Sequence, residues 1–189
     1  MPGYSSVLVA AQTAGAAVTG ISTTGVSLLP GACRITLPSG YWGTPGKTTH
    51  VRASGTLTTV ATAQALVLRF NLGAIATPIT VAQSQPINMI VSAKNLVTWA
   101  LELYMTHRSS GSGTQATFFD EGSFTSEAIV GSVAGYPAQA MWQASSPAVS
   151  SGFDSTLPNT IDLTAGFSTV GTDTIQLQTF VMEDLMTTP

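Results

Sequence analysis

The chain of 189 residues is 44% hydrophobic but only 8% charged, with a formal net charge of -3, where an ordinary globular protein has about 25% charged residues. Its six Lys and Arg, placed singly between Arg34 and Arg108, exclude the basic stripe that neutralises nucleic-acid phosphates, and no apolar run reaches the ~18–20 residues of a membrane-crossing helix. Ser and Thr, about a quarter of the chain, must supply the polar surface, and a surface so weakly charged favours obligate association over an isolated monomer.

The start, Met1-Pro2-Gly3-Tyr4, lacks the basic n-region of a signal peptide, so the apolar stretch after it is expected to be an ordinary strand over residues 6–11. Residues 10–24 are rich in Gly and Ala and suit either an extended arm or a plain surface loop. Short strands are expected over 26–29 and 35–37, with Cys33, Ile35 and Leu37 on one face. A single cysteine cannot staple the fold, and Cys33 is expected to be buried as a small hydrophobe. Strands follow over 50–59 and over 65–72, where Leu66, Leu68, Phe70 and Leu72 face inward and Val67, Arg69 and Asn71 outward. Weaker ones are expected over 79–82 and 87–91.

The clearest alternation lies over 97–108, with Val97, Trp99, Leu101, Leu103 and Met105 on one face and Thr98, Ala100, Glu102, Tyr104 and Thr106 on the other. Ser109-Ser110-Gly111-Ser112-Gly113 then forms a hairpin tip before a strand over 117–124. Helical turns are expected only over 61–65 and 138–143, the second opened by Pro137. Near the C-terminus Ile161, Leu163, Ala165 and Phe167 alternate with polar or small residues, and a turn over 168–173 leads into a last strand over 174–184. In that strand Ile175, Leu177, Thr179 and Val181 share one face, and Gln176, Gln178, Phe180 and Met182 the other. Apolar side chains on both faces imply a strand covered on both sides. Eight to ten short strands parted by Gly, Ser and Pro, without a fixed repeat or a linker, predict one all-β domain, an antiparallel sandwich or jelly roll.

No catalytic residue, cofactor or metal is expected. Gly43-Thr44-Pro45-Gly46-Lys47-Thr48-Thr49 lacks the first glycine of a phosphate loop, because Tyr41 stands there, and β-branched residues follow where a helix is required. His50 and His107 have no partner at ligand spacing and are expected at the surface or at strand ends. Asp120-Glu121, and Asp154 with Asp162, become carboxylate pairs of the glycosidase kind only if the fold brings them together; solvated loop carboxylates explain them as well. The Ser between glycines in the hairpin tip lacks the outer frame of a nucleophile elbow. Tyr41-Trp42, in a Gly- and Pro-rich loop, either anchors an interface as an aromatic hot spot or caps an edge of the core, and Trp142 admits the same two readings.

Val51-Arg52-Ala53-Ser54-Gly55-Thr56-Leu57 with Leu66-Val67-Leu68-Arg69-Phe70 is the first of three stretches that follow a common order. The second is Trp99-Ala100-Leu101-Glu102-Leu103, running on through Thr106-His107-Arg108 to Gly122-Ser123-Phe124. The third is Asn159-Thr160-Ile161-Asp162-Leu163, then Thr174-Ile175-Gln176-Leu177 and Phe180-Val181-Met182-Glu183-Asp184-Leu185. In order and spacing they resemble a family of small jelly-roll virion proteins of tailed bacteriophages, over roughly residues 50–185, and no active-site residue comes with the likeness. It implies a jelly roll of tumour-necrosis-factor or complement type over 46–189, with 1–45 as an N-terminal arm or extended segment packed on or beside it. It also implies a homotrimer on the capsid exterior, a decoration or cement protein that binds the major capsid protein after assembly in the host cytoplasm. In such proteins the N-terminal extension is a candidate for the part that grips the shell.

A tail or baseplate component is the nearest alternative. Another is a carbohydrate-binding receptor-recognition module, in which Tyr41, Trp42 and Trp142 stack on sugar rings. For contacts between copies, the alternation offers Tyr104, Phe180 and Met182 as outward-facing residues, while Tyr41, Trp42 and Trp142 are the candidates to meet the capsid or a ligand.

Overall fold

Alternation of apolar and hydroxyl-bearing residues becomes strand throughout the computed structural model, which describes residues 4–11, 13–19, 25–132, 137–142, 150–168 and 173–186. In chain order the strands are β1 (Tyr4–Ala10), β2 (Val18–Thr19), β3 (Val26–Ser27), β4 (Thr36–Leu37), β5 (Thr48–Thr59), β6 (Ala65–Ala74) and β7 (Thr77–Gln83). There follow β8 (Ile87–Asn88), β9 (Lys94–Ser109), β10 (Thr117–Ser126), β11 (Ala138–Met141), β12 (Asn159–Thr160), β13 (Asp162–Phe167) and β14 (Thr174–Met186). Fourteen strands thus form among the described residues, more than the eight to ten expected, because two-residue pairings such as β2 and β12 add to the nine that run four residues or more. Among the described residues no α-helix forms, and Cys33 lies buried in a short 3-10 turn, Gly31–Cys33.

The large sheet runs β1-β14-β5-β9-β10-β11, with β2 also on β14. The small sheet runs β3-β13-β6-β7, with β8 also on β6, and β4 pairs with β12. The described strand pairs are antiparallel. Inward faces of both sheets feed one hydrophobic cluster, in which Leu57, Trp99, Leu103 and Ile175 of the large sheet join Leu66, Leu68, Phe70 and Leu163 of the small one. Each such side chain contributes about 1.5–3 kcal/mol by leaving water.

Two local expectations fail for tertiary reasons. Residues 61 and 62 bend, and 63 and 64 run on without regular structure into β6. Ala138–Met141 is strand because the free edge of β10 offers a full ladder, from Ser126↔Ala138 to Ser123↔Met141, and such pairing outweighs the weak helical preference of alanine-rich sequence. Gln143 of that expected turn and residues 169–172 of the turn before β14 lie outside the described residues.

The largest correction concerns β14. Its register against β5 shifts between Leu177 and Thr179, so Gln178 is the extra residue of a β-bulge. Ile175 and Leu177 point inward before it, and Phe180, Met182 and Asp184 point inward after it. A one-residue insertion exchanges the two faces, so Phe180 and Met182, expected outside, are fully buried. Their side chains are not available to another copy.

The N-terminal segment lies along this strand. β1 pairs with β14 from Tyr4↔Met186 to Ala10↔Val181. The amides of Ala11 and Gly15 then donate to the Phe180 and Leu177 carbonyl oxygens at 2.8 and 3.0 Å. Residues 1–3, 12 and 20–24 of the expected arm lie outside the described residues.

Candidate contact surfaces

The register of the large sheet lays its solvent-side residues in rows. Thr179, Ser54, Ala100 and Thr125 form one; Val181, Arg52, Glu102 and Ser123 the next; Glu183, His50, Tyr104 and Glu121 a third. The first row is small and uncharged. Ser54 and Thr179 hydrogen-bond across it, leaving a shallow depression of about 320 Å³ between Arg52, Glu102 and Val181.

The third row carries most of the electrostatics. Glu183 accepts from Arg52 Nη2 at 2.8 Å and lies 3.8 Å from His50 Nδ1. The His50 ring stacks flat on Tyr104, centroids 4.2 Å apart, so Tyr104 is half-buried and His50 only 9% exposed. Burial, then Arg52, lowers the His50 pKa against the opposing pull of Glu102 and Glu183. The first row of this face is uncharged, and the next two carry Arg52 against Glu102, Glu183 and Glu121, so the charge is confined to one side of the face and is acidic on balance.

The aromatic loop residues serve the core. Trp42 is 1% and Trp142 0% exposed. Trp42 meets Tyr41, Phe118 and Phe153 edge-on at 5.0, 5.4 and 5.7 Å, and Phe118 stacks on Phe153 at 4.9 Å. Of the two readings of Tyr41-Trp42, the capped core edge is the one the geometry shows for Trp42. Trp142 is likewise interior, so neither indole can stack on an external ring. Tyr41, half-buried, gives its hydroxyl to Asp184 at 2.9 Å. Lys47 Nζ reaches the same carboxylate oxygen at 2.8 Å and sits 3.4 Å from the Tyr41 ring centroid. Burial and the Asp184 carboxylate push the Tyr41 phenol far above its usual range.

The two histidines differ: His50, near the start of β5, lies on the outer face under the Tyr104 ring, whereas His107 is interior and not at the surface. His107 continues the inward phase of Leu103 and Met105, is 0% exposed, and holds Nδ1 3.1 Å from the Thr44 carbonyl oxygen. The carboxylates do not make a catalytic pair. Asp120 points into the protein while Glu121 is exposed on the opposite face of β10. Asp154 shapes its own loop through Gly113 and Thr156, and Asp162 belongs to the small sheet. Lys47–Asp184 and Arg52–Glu183 were not legible beforehand, because each joins residues more than 130 positions apart.

Burial pushes the Asp120 carboxyl up to about 6. Below its ordinary value of 3.8 both folded and unfolded chains hold the proton, and between 3.8 and about 6 the folded chain holds it more firmly. Asp120 therefore costs stability progressively as pH rises through that window, and the cost persists above it. Asp120→Asn is expected to gain in melting temperature relative to the parent across that interval and to keep a constant offset at higher pH. An offset independent of pH throughout would remove Asp120 as the titrating group.

No family model and no curated protein matches the sequence. Among solved structures, the CBM2 module of the evolved Dit of Lactobacillus casei BL23 phage J-1 aligns over 100% of both chains at 12% identity with a TM-score of 0.37, a superposition too loose to transfer fold or role.

Proposed function

We propose that this chain is a jelly-roll virion protein of a tailed phage, acting by surface contact and not by catalysis, that self-associates as a homotrimer and docks on a protein lattice. The strand order is the observation that carries the reading. Taking β1, β3, β5, β6, β7, β9, β13 and β14 as strands one to eight, the order 1-8-3-6, extended at its strand-six edge by β10 and β11, faces the order 2-7-4-5, an interleaving of the kind that two nested Greek keys produce. The resemblance over residues 50–185 and the outer face of β14, β5 and β9, uncharged along its first row, support the same conclusion. In the trimer three such faces meet about a common axis, with Tyr104 near the contact. Repeated weak contacts to coat subunits then add up through multivalency. The head exterior, where the partner is the major capsid protein, is the site we favour, with the tail or baseplate as its rival.

Light scattering coupled to size exclusion is expected to give three times the 19.4 kDa chain mass. Tyr104→Glu sets a third carboxylate beside Glu183 and Glu121 in the same row, and is expected to yield folded monomers. A parent monomer would overturn the trimer, and a trimer that survives the substitution would remove Tyr104 from the contact. Labelling purified virions with an antibody against the chain separates head from tail.

A further inference from the structure

The solvent face of the small sheet differs in kind from that of the large one. A cleft of about 340 Å³ opens there between β3, β13 and the β6–β7 turn, lined by Ser27, Arg34, Asn71, Thr160, Asp162 and Thr164. Its size falls at the low end of small-ligand sites, roughly 300–1,000 Å³. The floor is pre-organised. Ser27 Oγ donates to Asp162 Oδ1 at 2.6 Å, Asn71 Nδ2 donates to Thr164 Oγ1 at 3.0 Å, and Thr80 Oγ1 donates to Asn71 Oδ1 at 2.8 Å. Asn71 and Thr164 are 2% and 5% exposed although they sit on the outer phase of their strands, so their orientation is fixed before any ligand arrives.

Arg34 completes the wall. Among the described residues it forms no ion pair, and its buried Nε has no hydrogen-bond acceptor. Arg34 is the one cationic side chain lining the cleft, and its charge acts on the Asp162 carboxyl across it. The rim across from these polar groups is apolar, with Ile75 61% exposed at the turn beside Pro78.

We infer that this cleft binds a neutral sugar ring. One guanidinium and one carboxylate facing the same space leave no net charge, so a phosphate meets Asp162 and an ammonium meets Arg34. A pair of adjacent hydroxyls suits both at once, donating to the carboxylate and accepting from the guanidinium, while the C–H face of the ring covers Ile75. This goes beyond the self-association proposed above, uses the opposite face of the protein, and requires none of the buried indoles.

The test is amide NMR of the full chain titrated with glucose, galactose, rhamnose and N-acetylglucosamine, and separately with glucosamine and inorganic phosphate. At least one neutral sugar is expected to shift the amides of residues 71–78 and 160–164 saturably in the millimolar range. Arg34→Met is expected to weaken that binding about tenfold or more, as loss of a charged hydrogen bond does. Ile75→Asp, at an exposed turn where folding is not at stake, should weaken it as well. Absence of any sugar-dependent shift, stronger shifts from phosphate or glucosamine than from every neutral sugar, or unchanged binding in both variants would each overturn the assignment.

Discussion

Deleting Gln178 is expected to unfold the protein at room temperature or to leave it barely stable. Without the bulge, residues on one side of the deletion must exchange faces. If the distal half turns over, Phe180 and Met182 leave the core at about 1.5–3 kcal/mol each, and Asp184 swings away from Lys47 and Tyr41. If the proximal half turns instead, Ile175 and Leu177 are lost from the core. Either loss is a large fraction of the 5–15 kcal/mol that holds a typical domain together. Gln178→Ala keeps the extra residue and removes only an exposed side chain, so its urea unfolding midpoint should stay close to that of the parent. Equal stability of the deletion and the parent would mean that the face exchange at residue 178 is wrong.

Trp42→Ala is expected to cost about 3–5 kcal/mol, the range for emptying an aromatic site in a core. The indole holds together a cluster of Tyr41, Phe118 and Phe153, and its removal also loosens the Tyr41–Lys47–Asp184 contacts that close this end of the molecule. Chemical denaturation reads the loss directly. A residue that served an external partner would behave in the opposite way, leaving stability untouched and reducing only association. Trp42→Phe should recover most of the difference, since an aromatic ring still fills part of the site.

Strand positions were readable because one covered face imposes a period of two, and β9 is the plainest case, inward from Trp99 to His107 at every second residue. The slip in β14 was readable too, had it been taken as one. Ile175 and Leu177 are odd-numbered and Phe180 and Met182 even-numbered, so the apolar phase changes at Gln178. Two half-strands in different phase look, residue by residue, like one strand covered on both faces. Tyr41-Trp42 and Trp142 were ambiguous for another reason, since loop aromatics have the same composition whether they turn inward or outward. The pairing of Asp184 with Lys47, and the cleft that gathers Ser27, Arg34, Asn71 and Asp162, are products of topology. The return of β13 alongside β3 and β6 sets Ser27, Asn71 and Asp162 together, the pairing of β12 with β4 brings Arg34 to them, and the pairing of β14 with β5 brings Asp184 to Lys47.

The partnership of β1 with β14 has a mechanical consequence. Tyr4 and Met186 are direct partners at one end of that ladder, so tension applied at these two points pulls the strands apart sideways. Their hydrogen bonds then carry the force one after another instead of sharing it, as the teeth of a zip do, and the edge peels at low load. Force delivered to the broad faces of the sheets is instead spread over the whole packed interior. A molecule wired in this way is weak as a tether and strong as a clamp.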